Sequence, residues 1–87
     1  MKTTIAQYVL SLKTARDTTH RAEDRAIYEE YLADAAVILA LAESEAPITL
    51  IAEAIRKHER LWGHTWLNDD MCKEPSVKWQ AVKRCAA

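Results

Sequence analysis

The sequence has 87 residues, a formal net charge of −1 and a hydrophobic share of 49%. A chain of this length forms one domain, buries roughly 60–65% of its unfolded surface, and has too little core to enclose a deep active site as well. The near-neutral charge argues against a strongly basic nucleic-acid-binding domain, and no stretch reaches the roughly 20 apolar residues of a membrane span. We therefore expect a single cytoplasmic domain over residues 1–87.

Turn-forming residues are scarce in this chain. It has one glycine and two prolines, whereas turns between strands favour clusters of Gly, Pro, Asn and Asp. Alanine, the best helix former, is abundant. The composition predicts an all-α fold, a small helical bundle of three main helices plus a short C-terminal helix.

The first predicted helix covers residues 3–16. Thr3 or Thr4 is a suitable N-cap, and the next three residues, 17–19, are the helix-breaking sequence Asp-Thr-Thr, one of which we expect to cap the following helix. The apolar residues of the segment recur at the spacing of one helical face: Ile5, Tyr8, Val9, Leu12 and Ala15.

The second predicted helix is the longest and covers residues 20–44, with Glu23 and Asp24 near its start, where acidic groups suit the helix dipole. Its second half, residues 35–42, reads AAVILALA. A helix that is apolar on every side is buried on every side, so we place the centre of the core here. The acidic residues of the first half, including Asp34, are expected to form a solvated face.

The third predicted helix covers residues 47–62 and starts at Pro47, because proline is tolerated in a first turn. Gly63 then ends the helix in a left-handed cap or bends it before one more turn. A short fourth helix follows Pro75 and covers residues 77–85. The inward face of the third helix carries Ile48, Ile51, Ile55, His58 and Trp62.

A cluster of side chains able to bind zinc falls between positions 58 and 72, but its spacing matches no standard site. Trp62 stands where an H-E-x-x-H motif needs its second histidine. The three histidines, His20, His58 and His64, also lack a recognisable serine or cysteine nucleophile. We predict no metal, no cofactor and no enzymatic activity. The cluster consists of His58, Glu59, His64, Asp69, Asp70 and Cys72.

Cys72 and Cys85 are the two cysteines of the chain. In a cytosolic protein such thiols are usually reduced, and we expect both to be partly buried packing residues. A disulfide between them is geometrically conceivable and stays open at this point.

A modest basic surface on the third and fourth predicted helices supports an alternative function. It would make the protein a small nucleic-acid-binding regulator, although Glu53 and Glu59 dilute the positive charge. The basic residues are Arg56, Lys57, Arg60, Lys78, Lys83 and Arg84.

The leading interpretation is a non-enzymatic protein-binding or regulatory module. Three tryptophans and no phenylalanine are unusual in so short a chain, and Trp, Tyr and Arg are the residues that most often anchor interfaces. We predict a contact surface formed by Trp62 and Trp66, with Arg60 and His64 at its edge. The partner is a protein of unknown identity, and a homodimer is possible because small bundles gain stability by association.

Overall fold

The computed structural model describes residues 1–64 and 73–86 and places them in four α-helices. These are α1 (Lys2–Thr18), α2 (Ala22–Glu43), α3 (Ile48–His64) and α4 (Lys73–Ala86). The prediction of an all-α bundle is confirmed for the described residues, which contain no strand. None of their helices is both long and apolar enough to cross a membrane.

The helices are arranged as a ring in which α1 packs against α2 and α4, and α3 packs against the same two neighbours. Residues 19–21 and 44–47 are short connections, and such connections make consecutive helices antiparallel neighbours. Helices α1 and α3 lie diagonally opposite, so their inward side chains meet in the middle of the bundle.

Helix α1 begins one residue earlier than Thr3, and the predicted threonine cap is wrong. Met1 is the N-cap and makes no side-chain capping bond, while its carbonyl accepts a 3.0 Å hydrogen bond from the amide of Ile5. Thr3 and Thr4 therefore already lie inside the helix. All five residues of the predicted apolar face are buried.

The corner between α1 and α2 is held by Thr19, which is buried and has an extended backbone. Its amide donates to the carbonyl of Ala15, and its hydroxyl accepts a 3.3 Å bond from the amide of Arg21. The N-cap of α2 is Arg21, without a side-chain capping bond. The expectation that one of residues 17–19 is the N-cap of α2 is therefore wrong, because that position falls at Arg21.

Helix α2 ends in a Schellman motif, in which the amide of Ala46 donates to the carbonyl of Leu41 and that of Glu45 donates to Ala42. This motif requires a left-handed residue just after the helix. Glu45 takes that conformation with φ 57°, at a position where glycine is usual.

The stretch 35–42 is not buried on every side, and the prediction that it forms the centre of the core is wrong. Ala35, Ile38 and Ala42 face inward, whereas Val37 is 55% exposed. The reason is that a helix in a four-membered ring presents only part of its circumference to its neighbours. The centre of the core is instead rich in aromatic rings: Tyr8, Tyr28, Tyr31, His58 and Trp79.

Helix α4 is a full member of the bundle rather than a short appendage. It starts at Lys73 and carries Pro75 in its first turn, where the missing amide hydrogen costs no intrahelical bond. Its buried residues Trp79 and Val82 complete the core. Gly63 lies within α3 and has no positive φ, so the predicted left-handed cap at Gly63 is wrong.

Candidate functional site

A chain of polar side chains runs through the centre of the bundle. His58 Nδ1 lies 2.7 Å from Asp34 Oδ2, and His58 Nε2 lies 2.6 Å from the Tyr8 hydroxyl. The indole Nε1 of Trp62 donates to the same hydroxyl over 2.9 Å. One proton arrangement satisfies every bond: Nδ1–H donates to the carboxylate, and the Tyr8 hydroxyl donates to Nε2.

Burial keeps the two central groups of this chain neutral. Desolvation lowers the pKa of His58, against the hydrogen bond and the negative charge of Asp34, which raise it. Desolvation also raises the pKa of Tyr8 far above its ordinary value. A neutral imidazole between a carboxylate and a phenol matches the proton arrangement inferred from the distances.

The order carboxylate, imidazole, hydroxyl is that of a catalytic proton relay. Its imidazole and hydroxyl are buried, whereas the Asp34 side chain is 41% exposed. Neither Tyr8 nor His58 has solvent-exposed surface. The rings of Tyr8 and Trp79 have centroids 5.5 and 4.6 Å from that of His58. The arrangement joins α1, α2 and α3 through side-chain hydrogen bonds that favour one helix register.

A second polar contact joins α3 to α4. The carboxylate of Glu59 accepts hydrogen bonds from Trp79 Nε1 and, over 3.1 Å, from Lys83 Nζ. Trp79 therefore contributes its ring to the packing around His58 and its N–H to Glu59. Together the two networks link all four helices.

A groove of about 270 Å³ lies on the outside of the bundle between α2 and α3. We call this surface the α2/α3 face. Val37 is 55% exposed and Leu50 is 48% exposed, so large aliphatic surface is in contact with water. The face is lined by Val37, Leu41, Leu50 and Ala54, with Asp34, Glu53 and Lys57 as its charged members.

A larger groove, of about 400 Å³, lies between α1 and α4. It includes Leu10, which is 63% exposed, but most of its other lining side chains are polar or small. Its charged residues Glu74 and Lys78 already form an ion pair, with 3.8 Å between Oε1 and Nζ.

The predicted tryptophan surface is described only in part. Trp62 is half-buried, and its ring packs edge-on against Tyr31 with centroids 4.9 Å apart. Arg60 is exposed and lies one turn beyond Lys57 on α3. Trp66 and the side chain of His64 fall outside the described residues.

The basic residues of the alternative prediction do not form one patch in the described structure. Lys57 lines the α2/α3 face, whereas Lys78 lines the groove between α1 and α4. Arg56 and Lys83 line a third groove between α3 and α4, where Lys83 is bound to Glu59. Arg60 and Arg84 are exposed.

The candidate zinc ligands are only partly described as well. His58 and Glu59 are engaged in the hydrogen bonds above, while Asp69, Asp70 and Cys72 fall outside the described residues. Among residues 1–64 and 73–86, no three His, Cys, Asp or Glu side chains are grouped to hold a metal ion. Cys85 is exposed, which corrects the expectation that it is partly buried.

Sequence reasoning missed the two residues that complete the central network. Asp34 was assigned to a solvated acidic face, and Tyr8 was assigned only to an apolar stripe. The available signal was weak: His58 stands in the otherwise apolar inward face of α3, which means that a partner must reach it from another helix.

No protein-family model matches the chain, and the searches of curated proteins and of solved structures find no match either.

Proposed function

We propose that this protein is a non-enzymatic protein-binding module that contacts its partner through the α2/α3 face. The observation that carries the proposal is the pair of large aliphatic side chains, Val37 and Leu50, which line one groove and are each about half exposed. Covering apolar surface contributes roughly 25 cal/mol per Å². A partner that covers this groove gains that contribution, whereas solvent does not.

The form of the face supports a helical or flat protein partner. The groove is open and runs between two antiparallel helices, and its apolar floor is bordered by both signs of charge, from Asp34, Glu53 and Lys57. Interfaces commonly combine an apolar centre with a polar rim.

The burial of His58 and Tyr8 supports the proposal that the central network is not a catalytic site. His58 and Tyr8 have the side chains most suited to acid–base work, and both are fully buried and bonded to each other. A substrate would have to displace the packed rings around them. Their role in our proposal is to fix the helix register that supports the α2/α3 face.

Of the predicted tryptophan surface, our proposal keeps Arg60 as a contact residue and gives Trp62 mainly a packing role. Trp62 is half-buried and donates its N–H to Tyr8, so it serves packing first. Arg60 extends the α2/α3 face by one turn. We also propose a reducing, cytoplasmic location, where an exposed cysteine such as Cys85 remains a thiol.

The test is a tagged pull-down from host lysate, with and without nuclease, using wild type, Leu50→Glu and the matched control Leu10→Glu. Leu10 is 63% exposed on α1, compared with 48% for Leu50, and it lies outside the α2/α3 face. We expect a discrete protein to be recovered with wild type and Leu10→Glu, to survive nuclease, and to be lost with Leu50→Glu. Equal recovery with both leucine variants would overturn the proposed surface.

Nuclease treatment separates this proposal from the alternative of a nucleic-acid-binding regulator. Recovery that collapses on nuclease treatment, and that falls when Arg56 and Arg84 are replaced by Gln, would favour the alternative. Binding through phosphates would also weaken steeply as salt is raised, whereas binding through the apolar groove would not.

A further inference from the structure

We infer that the occupant of the α2/α3 face is a second copy of this chain, docked about a two-fold axis with the two α3 helices antiparallel. The inference rests on the proposed function and names its partner. A homodimer of this kind buries the same patch of both subunits, so the patch must be complementary to itself.

The charges of the face have the required self-complementarity. Glu53 and Lys57 are four residues apart on α3 and line the same groove. A two-fold axis that crosses α3 midway between them places Glu53 opposite Lys57 of the partner subunit. By symmetry, Lys57 also lies opposite Glu53 of the partner subunit, so the dimer has two opposite-charge contacts.

These two charges are available for such contacts. Within the described residues, neither Glu53 nor Lys57 takes part in an ion pair or side-chain hydrogen bond. The comparable pair in the groove between α1 and α4, Glu74 and Lys78, is already bonded internally. The two grooves therefore differ in the charge that they can offer to a second copy.

The shape near the axis also fits close approach. Ala54 lines the same groove as Glu53 and Lys57, and its small side chain leaves room for a second helix to approach. Val37 lines the groove beside it and would be covered by the second copy.

The experiment is a charge exchange followed by sedimentation velocity over the micromolar range. Glu53→Lys places like charges opposite each other in the dimer, and so does Lys57→Glu. We expect each variant alone to dimerise roughly tenfold or more weakly than wild type. An equimolar mixture of the two restores opposite charges across the interface, so we expect it to dimerise close to wild type.

Each outcome is decisive because both side chains are exposed and helical circular dichroism verifies that the variants fold. A wild type that remains monomeric overturns the inference. So does a wild-type dimer that neither variant weakens, or a mixture that is no stronger than its components. If the dimer is absent but the pull-down recovers a different protein through Leu50, only this inference fails and the proposed function stands.

Discussion

Asp34 lies between the centre of the bundle and the α2/α3 face. The centre buries polar groups, whereas the face exposes apolar groups to solvent. In the centre, Tyr8 and His58 have no exposed surface, yet their polar atoms are hydrogen-bonded. On the face, Val37 and Leu50 are half exposed although they are aliphatic.

The buried polar groups bear on the fold, whereas the exposed apolar groups bear on binding. A buried polar group is stable when it is hydrogen-bonded, so the central network accounts for the register of the helices. Single exposed apolar residues are ordinary, but apolar side chains that share a groove mark interaction sites. In our proposal the α2/α3 face contacts the partner, and the central network holds that face in shape.

The largest change in the free energy of unfolding is expected on α2, where a buried and an exposed side chain are neighbours in the sequence. Ile38 is buried and Val37 is exposed, so Ile38→Ala should lower the free energy of unfolding by about 3 kcal/mol through lost burial and a cavity. Val37→Ala should change it by less than about 0.5 kcal/mol. Urea titration of both variants measures the difference, and similar losses would contradict the described orientation of α2.

A smaller loss is expected from removing one hydroxyl of the central network. Tyr8→Phe leaves His58 Nε2 and the Trp62 N–H without their partner, so stability should fall by about 2 kcal/mol. Thermal unfolding of an 87-residue domain should then show a midpoint roughly 8–16 °C lower.

The matched variant is Tyr31→Phe, which removes the hydroxyl that donates to the carbonyl of Leu61 over 2.8 Å. We expect it to cost about 1 kcal/mol, because a typical hydrogen bond to the backbone contributes that much. If Tyr31→Phe proved as costly as Tyr8→Phe, the Tyr8 hydroxyl would not have the central position that we assign to it.

The apolar faces of the helices could be predicted from the sequence, but their ends could not. Every residue of the predicted α1 stripe is buried, and in α3 the same spacing correctly identified Ile51, Ile55 and His58. Ile48, on the same stripe, is 54% exposed. Periodicity shows which residues share a face, but it does not show how far along that face the neighbouring helices extend.

The candidate sites depended on relations that periodicity does not contain. Asp34 and His58 are 24 positions apart, and their contact follows from how α2 and α3 align along their length. The exposure of Val37 follows from the number of neighbours that α2 has. Both are properties of the assembled bundle, which explains why residues 35–42 were wrongly predicted to be buried on every side.

Acid should lower the free energy of unfolding through protonation of His58. Burial lowers the pKa of His58 below the 6.5 of the unfolded chain, so the unfolded state binds more protons between these two pKa values. Stability therefore rises with pH across that window, and it falls as pH is lowered through 6.5 and below. The charges that face His58, from Asp34 and Glu59, oppose this effect without reversing it.

The measurement is the urea midpoint at several pH values between neutrality and mild acid, for wild type and His58→Gln. The glutamine amide keeps a donor and an acceptor but does not titrate, so we expect the variant to be less stable at neutral pH and less dependent on pH. An equally steep dependence in His58→Gln would assign the titration to other groups.

A gain in stability is expected at the corner that joins the two helices of the α2/α3 face. Glu45 holds a left-handed backbone at φ 57°, which an L-residue adopts at a cost of roughly 1 kcal/mol and glycine adopts freely. Glu45→Gly should therefore raise stability by up to about 1 kcal/mol. Glu43→Gly removes the same charge from the last residue of α2 and should lower stability by about the same amount.

Because neither change touches the lining of the groove, dimerisation of Glu45→Gly should match that of wild type. A gain in stability with Glu45→Ala as large as with Glu45→Gly would instead assign the effect to charge.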